Sequence, residues 1–339
     1  KKREELLQQI ESGAAQIIIG THAIFQDTIN FHNLGVAVID EQHRFGVHQR
    51  LKLSDKGKGV DILVMTATPI PRTLTLTAYG DMDVSRLDEK PPGRKPVDTR
   101  LISNDHLHQM VDGLRREIDK GTQIYWVCPL VEESEVMDLA AAEDRYQGLQ
   151  KYFGDKVGLV HGRMKPEEKD AVMRDFVARN ISLLVATTVI EVGVNVPNAT
   201  IMVIEHAERF GLSQLHQLRG RVGRGEAQSY CFLVYSGPLS ETAKERLGIM
   251  RASEDGFVIA EKDLELRGAG DILGTKQSGL PKFRLADLEA HKDLLEMARD
   301  EARLILQKDP KLETERGGHL KTLLYLFERE RAISFLRSG

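Results

Sequence analysis

Cysteine is scarce in this chain. Two thiols occur in 339 residues, Cys128 and Cys231, each inside an apolar run and neither with a CxxC partner. That spacing argues against a disulfide framework or a cysteine-bound metal and leaves two buried structural thiols. No apolar run approaches the ~20 residues needed to span a bilayer, and neither a fixed-period repeat nor a low-complexity tract occurs. A dominant charge is missing too: 47 Lys and Arg stand against 51 Asp and Glu, a formal net charge of −4. Any hold on a polyanion must therefore come from local placement of cations rather than from the total. The opening residues, Lys1-Lys2-Arg3-Glu4-Glu5-Leu6-Leu7, lack both Met and the apolar core of a signal peptide. They enter a helical pattern directly. The expectation is a cytosolic protein whose sequence starts inside a domain.

What is present is an alternation. Short β-rich runs fall at 16–20, 35–40, 61–66, 123–130, 157–160, 182–187, 200–205 and 229–235. Several are continuously apolar, as strands covered on both faces must be, which predicts parallel α/β sheets. The crossovers read as helices. From His106 to Lys120 one face carries Leu107, Met110, Val111, Leu114 and Ile118, and Pro166 to Asn180 opens with Pro and two Glu. Three prolines and a glycine in Pro91-Pro92-Gly93-Arg94-Lys95-Pro96 interrupt any regular element, so a domain boundary is expected there. After Tyr235 the strands stop. Two helices, 241–253 and 258–267, flank Glu254-Asp255-Gly256, and long charged helices follow at 285–308 and 319–337. The expected organisation is 1–89, 90–240, 241–280 and 281–339.

The chemistry-bearing residues sit where strands end. Val36 to Ile39 delivers Asp40-Glu41-Gln42-His43 to a strand's C-terminal end, the edge at which open α/β sheets place ligands. A carboxylate pair there suits a magnesium nucleotide, with Asp40 as the Mg²⁺ ligand and Glu41 polarising a water. Residues 214–224 read as a helix with Leu215, Leu218 and Val222 inward and Arg219, Arg221 and Arg224 clustered elsewhere. Three like charges that close call for an anion, and the guanidinium fork suits phosphate oxygens.

In order along the chain, Gly20-Thr21-His22, Asp40-Glu41-Gln42-His43, Thr66-Ala67-Thr68-Pro69, Ala186 to Asn195 and Gln217 to Gly225 resemble motifs Ib, II, III, V and VI of superfamily 2 helicases. The resemblance implies two RecA-like parallel-sheet lobes, the first incomplete, followed by a helical hairpin and an all-helical C-terminal tail. It implies ATP and Mg²⁺ as cofactors and Arg221 and Arg224 as arginine fingers. Gly193, Asn195 and Gln217 join them at the nucleotide, with Asn195 standing where many members carry Asp. Thr21, His22, Thr66 and Thr68 would touch the DNA strand or couple the lobes. The hairpin from Glu245 to Gly279 resembles the TRG motif shared by the RecG and Mfd families, with Arg246, Arg267 and Gln277 at the matching positions. Asp40 to Gly46 and the 91–96 turn fit the RecG family better. The implied activity is ATP-driven movement on double-stranded DNA that remodels forks and Holliday junctions in repair and recombination. An Mfd-like translocase and a non-catalytic fragment that keeps the fold are the alternatives.

The phosphate-cradling GxxxxGK[ST] loop is not among the 339 residues. Gly57-Lys58 is followed by Gly59, and Lys52 stands where the first glycine belongs. The 339-residue polypeptide alone is therefore expected to hydrolyse ATP negligibly and to bind DNA weakly.

Overall fold

A computed structural model describes residues 2–26, 28–41, 56–57, 59–67, 69, 83–87, 89, 91–129, 135–187, 196–267 and 291–326. The chain divides into two units, Lys1–Pro69 and Ile70–Gly339.

The first unit holds helix α1 (Lys2–Glu11) and strands β1 (Val36–Ile39) and β2 (Asp61–Val64). The strands pair in parallel, with Ile39 opposite Val64. Ala37 and Ile39 are buried against Leu34, Val60, Ile62 and Val64. The loop before β2 is fastened by Lys56, whose Nζ donates to the carbonyls of Gln26 and Ile29, each at 2.7 Å. The strand expected at 16–20 does not form: Ile17 and Ile19 are 85% and 93% exposed. A β-branched run becomes a strand only where a neighbour takes its N–H and C=O groups, and among the described residues β1 and β2 pair only with each other.

The second unit is a six-stranded sheet, all of whose pairings are parallel, in the order β3-β8-β7-β4-β6-β5. Its strands are β3 (Val97–Ser103), β4 (Gln123–Val127), β5 (Val157–Val160), β6 (Leu183–Ala186), β7 (Ala199–Ile204) and β8 (Ser229–Tyr235). Strand β3 was not foreseen. Its sequence, VDTRLIS, alternates without a continuous apolar run, because it forms the sheet's edge and pairs only with β8.

Each central strand sends alternate residues to opposite faces, which explains the continuous apolar runs. On one face Tyr125, Val127, Leu184, Met202, Ile204 and Leu233 pack under helices α4 (Pro166–Val177), α5 (Leu212–Arg219), α6 (Glu241–Ala252) and α7 (Gly256–Arg267). On the other, Ile124, Trp126, Leu183, Val185 and Val203 pack against α2 (Leu107–Asp119) and α3 (Glu135–Phe153). The result is the three-layer α/β arrangement expected of a RecA-like lobe. Local signals set the helix ends: Pro166 occupies the first turn of α4, and Ser240 Oγ accepts from Ala243 N at 3.2 Å to cap α6. Helices α8 (Lys292–Lys308) and α9 (Glu315–Leu326) follow. Among the described residues no helix is long and apolar enough to cross a membrane.

Candidate functional site

In the first unit the register of the small sheet brings two of the marked segments to one edge. Met65 N donates to Ile39 O at 2.8 Å, so Asp40 and Thr66 leave adjacent strands side by side. Asp40 is exposed and Glu41 half-buried. Glu41 takes a left-handed backbone, φ 54°, and its N–H donates to Asp40 Oδ1 at 2.9 Å. Such a turn at a non-glycine residue carries strain of about 1–3 kcal/mol, of the sort that accumulates at functional positions. Two hard oxygen donors on adjacent residues fit Mg²⁺ brought in on a nucleotide, where phosphates and water complete the shell. They do not make a free-standing metal site, and among the described residues no cluster of three or more His, Cys, Asp or Glu could hold a metal. Thr21, before a short 3₁₀ turn at His22–Phe25, is exposed and makes no capping bond with its side chain. Gln42, His43, Thr68 and the side chain of His22 lie outside the described residues.

In the second unit the marked arginines separate. The helix expected over 214–224 ends at Arg219, with Gly220 closing it. Leu215, Leu218 and Val222 are buried as expected, but so is Arg219, at 3% exposure. Its Nη1 donates to Met250 O (2.6 Å), Ser253 O (2.9 Å) and Thr99 Oγ1 (3.4 Å), tying α5 to the α6–α7 turn. On the helix Arg219 stands four residues after Leu215, at the edge of the buried face, so helical spacing already put it there and the expectation that it clusters with the other two was a misreading. Arg221 and Arg224 lie beyond the C-cap, where the loop no longer turns 100° per residue. Gly223 sets that loop: its φ is +75°, and a Cβ there would lie 2.8 Å from Val97 Cγ2.

Arg221 and Arg224 are both half-buried. Arg224 Nε donates to Gly220 O at 3.4 Å. Burial, then the like charges of Arg221 and Arg94, pull the Arg224 guanidinium below its usual range. Burial pushes the Tyr125 hydroxyl up to about 12, against the opposing pull of Arg224 and Arg221. The third member of the cationic group is thus Arg94, from the 91–96 turn, rather than Arg219. The sequence reading passed over Arg94 because its Pro-Gly surroundings marked only a boundary, although an Arg-Lys pair inside a rigid turn was a usable signal. Gln217 is half-buried on α5. Gly193, Asn195 and Gln277 lie outside the described residues.

Arg246, on α6, donates through Nη1 to Phe210 O (3.2 Å) and through Nη2 to Glu208 O (3.3 Å), clamping the hairpin to the turn after β7. Ser213 Oγ donates to the buried carboxylate of Asp263 at 3.3 Å, which ties α5 to α7. The backbone of Arg267 ends α7; its side chain lies outside the described residues.

Known proteins match the chain in successive segments. Residues 1–77 match a model of the DEAD/DEAH box helicase, 104–226 the helicase conserved C-terminal domain, and 253–323 the C-terminal part of domain 3 of the ATP-dependent DNA helicase RecG. The chain is 54% identical over 314 residues to the ATP-dependent DNA helicase RecG of Synechocystis sp., covering 92% of this chain and 38% of that protein. It is 53% identical over 311 residues to RecG of Bacillus subtilis, covering 91% and 46%. With RecG of Escherichia coli strain K12 the identity is 53% over 318 residues, covering 91% and 46%. A solved structure of RecG bound to a three-way DNA junction superposes with a TM-score of 0.65 at 47% identity, covering 86% of this chain and 38% of that one. The chain spans less than half the length of these relatives.

Proposed function

The chain is a RecG-family sequence over more than nine-tenths of its length, and on that premise we propose that it forms the C-terminal motor portion of an ATP-dependent helicase that remodels branched double-stranded DNA. The observation that carries this reading is the loop after α5, where Gly223 and buried Val222 fix a backbone that holds Arg221 and Arg224 together despite their repulsion. Two guanidiniums held that way are suited to charge on a phosphoryl group. In this role Arg221 and Arg224 donate to phosphate oxygens, Glu41 accepts a proton from the attacking water, and Asp40 would hold Mg²⁺, which neutralises phosphate charge when bound. Gln42, His43, Gln217, Gly193 and Asn195 are assigned to the nucleotide's surroundings. Thr21, His22, Thr66, Thr68, Arg267 and Gln277 are assigned to DNA contact and coupling. Arg246 is assigned to seating the hairpin, since its hydrogen bonds run to backbone carbonyls.

The reading needs a phosphate-cradling loop from outside these 339 residues. The Mfd-like alternative is not favoured, because 253–323 matches RecG domain 3. In a full-length protein carrying this chain, Glu41→Gln leaves ATP binding nearly intact and lowers DNA-stimulated turnover by at least about 10²-fold. Turnover within a fewfold of the parent removes Glu41 from the mechanism. Arg267→Ala, by contrast, keeps DNA-stimulated hydrolysis and loses junction unwinding; equal loss of both assigns the residue to folding instead.

A further inference from the structure

The turn at 91–96 is bolted to the second unit beside the arginine loop. Arg94 N donates to Pro91 O at 3.4 Å around Gly93, whose φ is +83°. Gln228 Nε2 donates to Pro96 O at 2.8 Å, and the next amide, Val97 N, donates to the Glu254 carboxylate at the α6–α7 turn. These ties hold Arg94 and Lys95 at the mouth of a pocket of about 190 Å³, completed by Val97, His216, Arg219, Gly220, Val222, Gly223 and Glu254.

The charge in this pocket is unbalanced. Three cations, Arg94, Lys95 and Arg219, line the pocket with one carboxylate, Glu254, and that carboxylate already accepts the Val97 amide. Arg219 spends its donors on neutral groups: two carbonyls, the Thr99 hydroxyl and His216 Nδ1. Its charge is held at the pocket wall, where Glu254 is the carboxylate that acts on it. Neither Arg94 nor Lys95 has an ion-pair partner among the described residues. A concave site with a buried guanidinium behind it and an arginine fork and lysine ammonium at its rim attracts an anion and matches phosphate oxygens. A pocket of about 190 Å³ is large enough to admit a phosphate group.

We propose that this pocket, which shares Gly220, Val222 and Gly223 with the arginine loop but not the side chains of Arg221 and Arg224, is a phosphate subsite that takes a single phosphate group through Arg94, Lys95 and His216. Arg221 and Arg224 do not line it. The phosphate comes either from a nucleic-acid backbone or from a nucleotide's polyphosphate.

The test uses the 339-residue chain with Arg221→Gln and Arg224→Gln, which silences the neighbouring loop, titrated with inorganic phosphate by calorimetry and phosphorus NMR. This background binds one phosphate. Adding Arg94→Gln and Lys95→Gln, both exposed and so without cost to the fold, weakens binding by at least about tenfold, the loss of two charge-assisted contacts. Circular dichroism verifies the fold of each variant. Displacement by a short DNA duplex but not by ATP assigns the phosphate to the backbone; displacement by ATP alone assigns it to a nucleotide. A background that binds no phosphate, or binding unchanged by the Arg94 and Lys95 substitutions, overturns the proposal. Neither result touches the assignment of Glu41, Arg221 and Arg224, which is read from turnover.

Discussion

Arg219 and Glu205 each keep a charge inside the second unit, and their partners set what each substitution costs. Arg219→Ala leaves the carbonyls of Met250 and Ser253 without their donor. A buried acceptor stripped of its partner costs about 1–3 kcal/mol, so the expected loss is about 2–4 kcal/mol in urea unfolding. Trp126, the single tryptophan, reports the transition by its fluorescence. Glu205 accepts from Trp126 Nε1 at 2.6 Å and pairs with Arg145, whose guanidinium also lies over the Trp126 ring. Breaking a buried pair costs about 3–5 kcal/mol, and the partial exposure of Arg145 lowers the expectation for Glu205→Ala to about 2 kcal/mol. A red shift of Trp126 emission accompanies it; unchanged emission refutes the contact. None of this was legible in the sequence, because both partnerships join residues that only the fold brings together.

Among the elements, the loop after α5 and the entry to α9 depend most on single residues. Gly223→Ala forces a side chain into a left-handed backbone and toward Val97 Cγ2. The expected cost is about 1–2 kcal/mol. Because the loop carries Arg221 and Arg224, DNA-stimulated ATP hydrolysis by the full-length protein falls more steeply than stability does. An equal effect on both places the residue in folding alone. Asp309 caps the approach to α9, accepting from Glu313 N (2.8 Å), Thr314 N (3.0 Å) and Thr314 Oγ1 (2.6 Å). The Thr314 hydroxyl, helped by both amides, holds the Asp309 carboxyl below the usual aspartate range. A carboxylate whose folded pKa is depressed stabilises above its unfolded value and loses that contribution as pH falls through the folded one. Protection of the Glu313 and Thr314 amides, taken relative to their intrinsic exchange rates, therefore falls below about pH 4 and is already lost in Asp309→Ala at neutral pH. The helical hairpin was legible from turn residues and periodicity; that Arg246 seats it on the turn after β7 and that Arg219 and Asp263 tie it to α5 was not, since periodicity locates a face and not its partner.

For the molecule as a whole, the two thiols measure how far the second unit must open. Cys128 and Cys231 are buried on opposite faces of the sheet. Burial raises both thiols well above the ordinary range. Thiol-specific reagents are expected to label neither at neutral pH in the native protein and both in denaturant, at a rate that follows global unfolding. Fast labelling of one alone in native buffer contradicts its burial.

The sequence by itself determined the parallel α/β class, the helical hairpin, the order of the motifs and the carboxylate pair at the end of β1. Each is written in short-range patterns, namely strand-length apolar runs, 3.6-residue periodicity, Pro-Gly breaks and charged residues at strand ends. Tertiary structure alone decided that 16–20 does not pair, that 97–103 forms the sheet's edge, that Arg219 spends its donors on Met250, Ser253 and Thr99, and that Arg94 comes near enough to Arg224 to act on its charge. Those outcomes depend on which backbone groups find partners and which cations share a space, and both are fixed by residues far apart in the chain. The phosphate-facing cations could be recognised from their types, but which of them act together was settled only when the loop left the helix at Gly220.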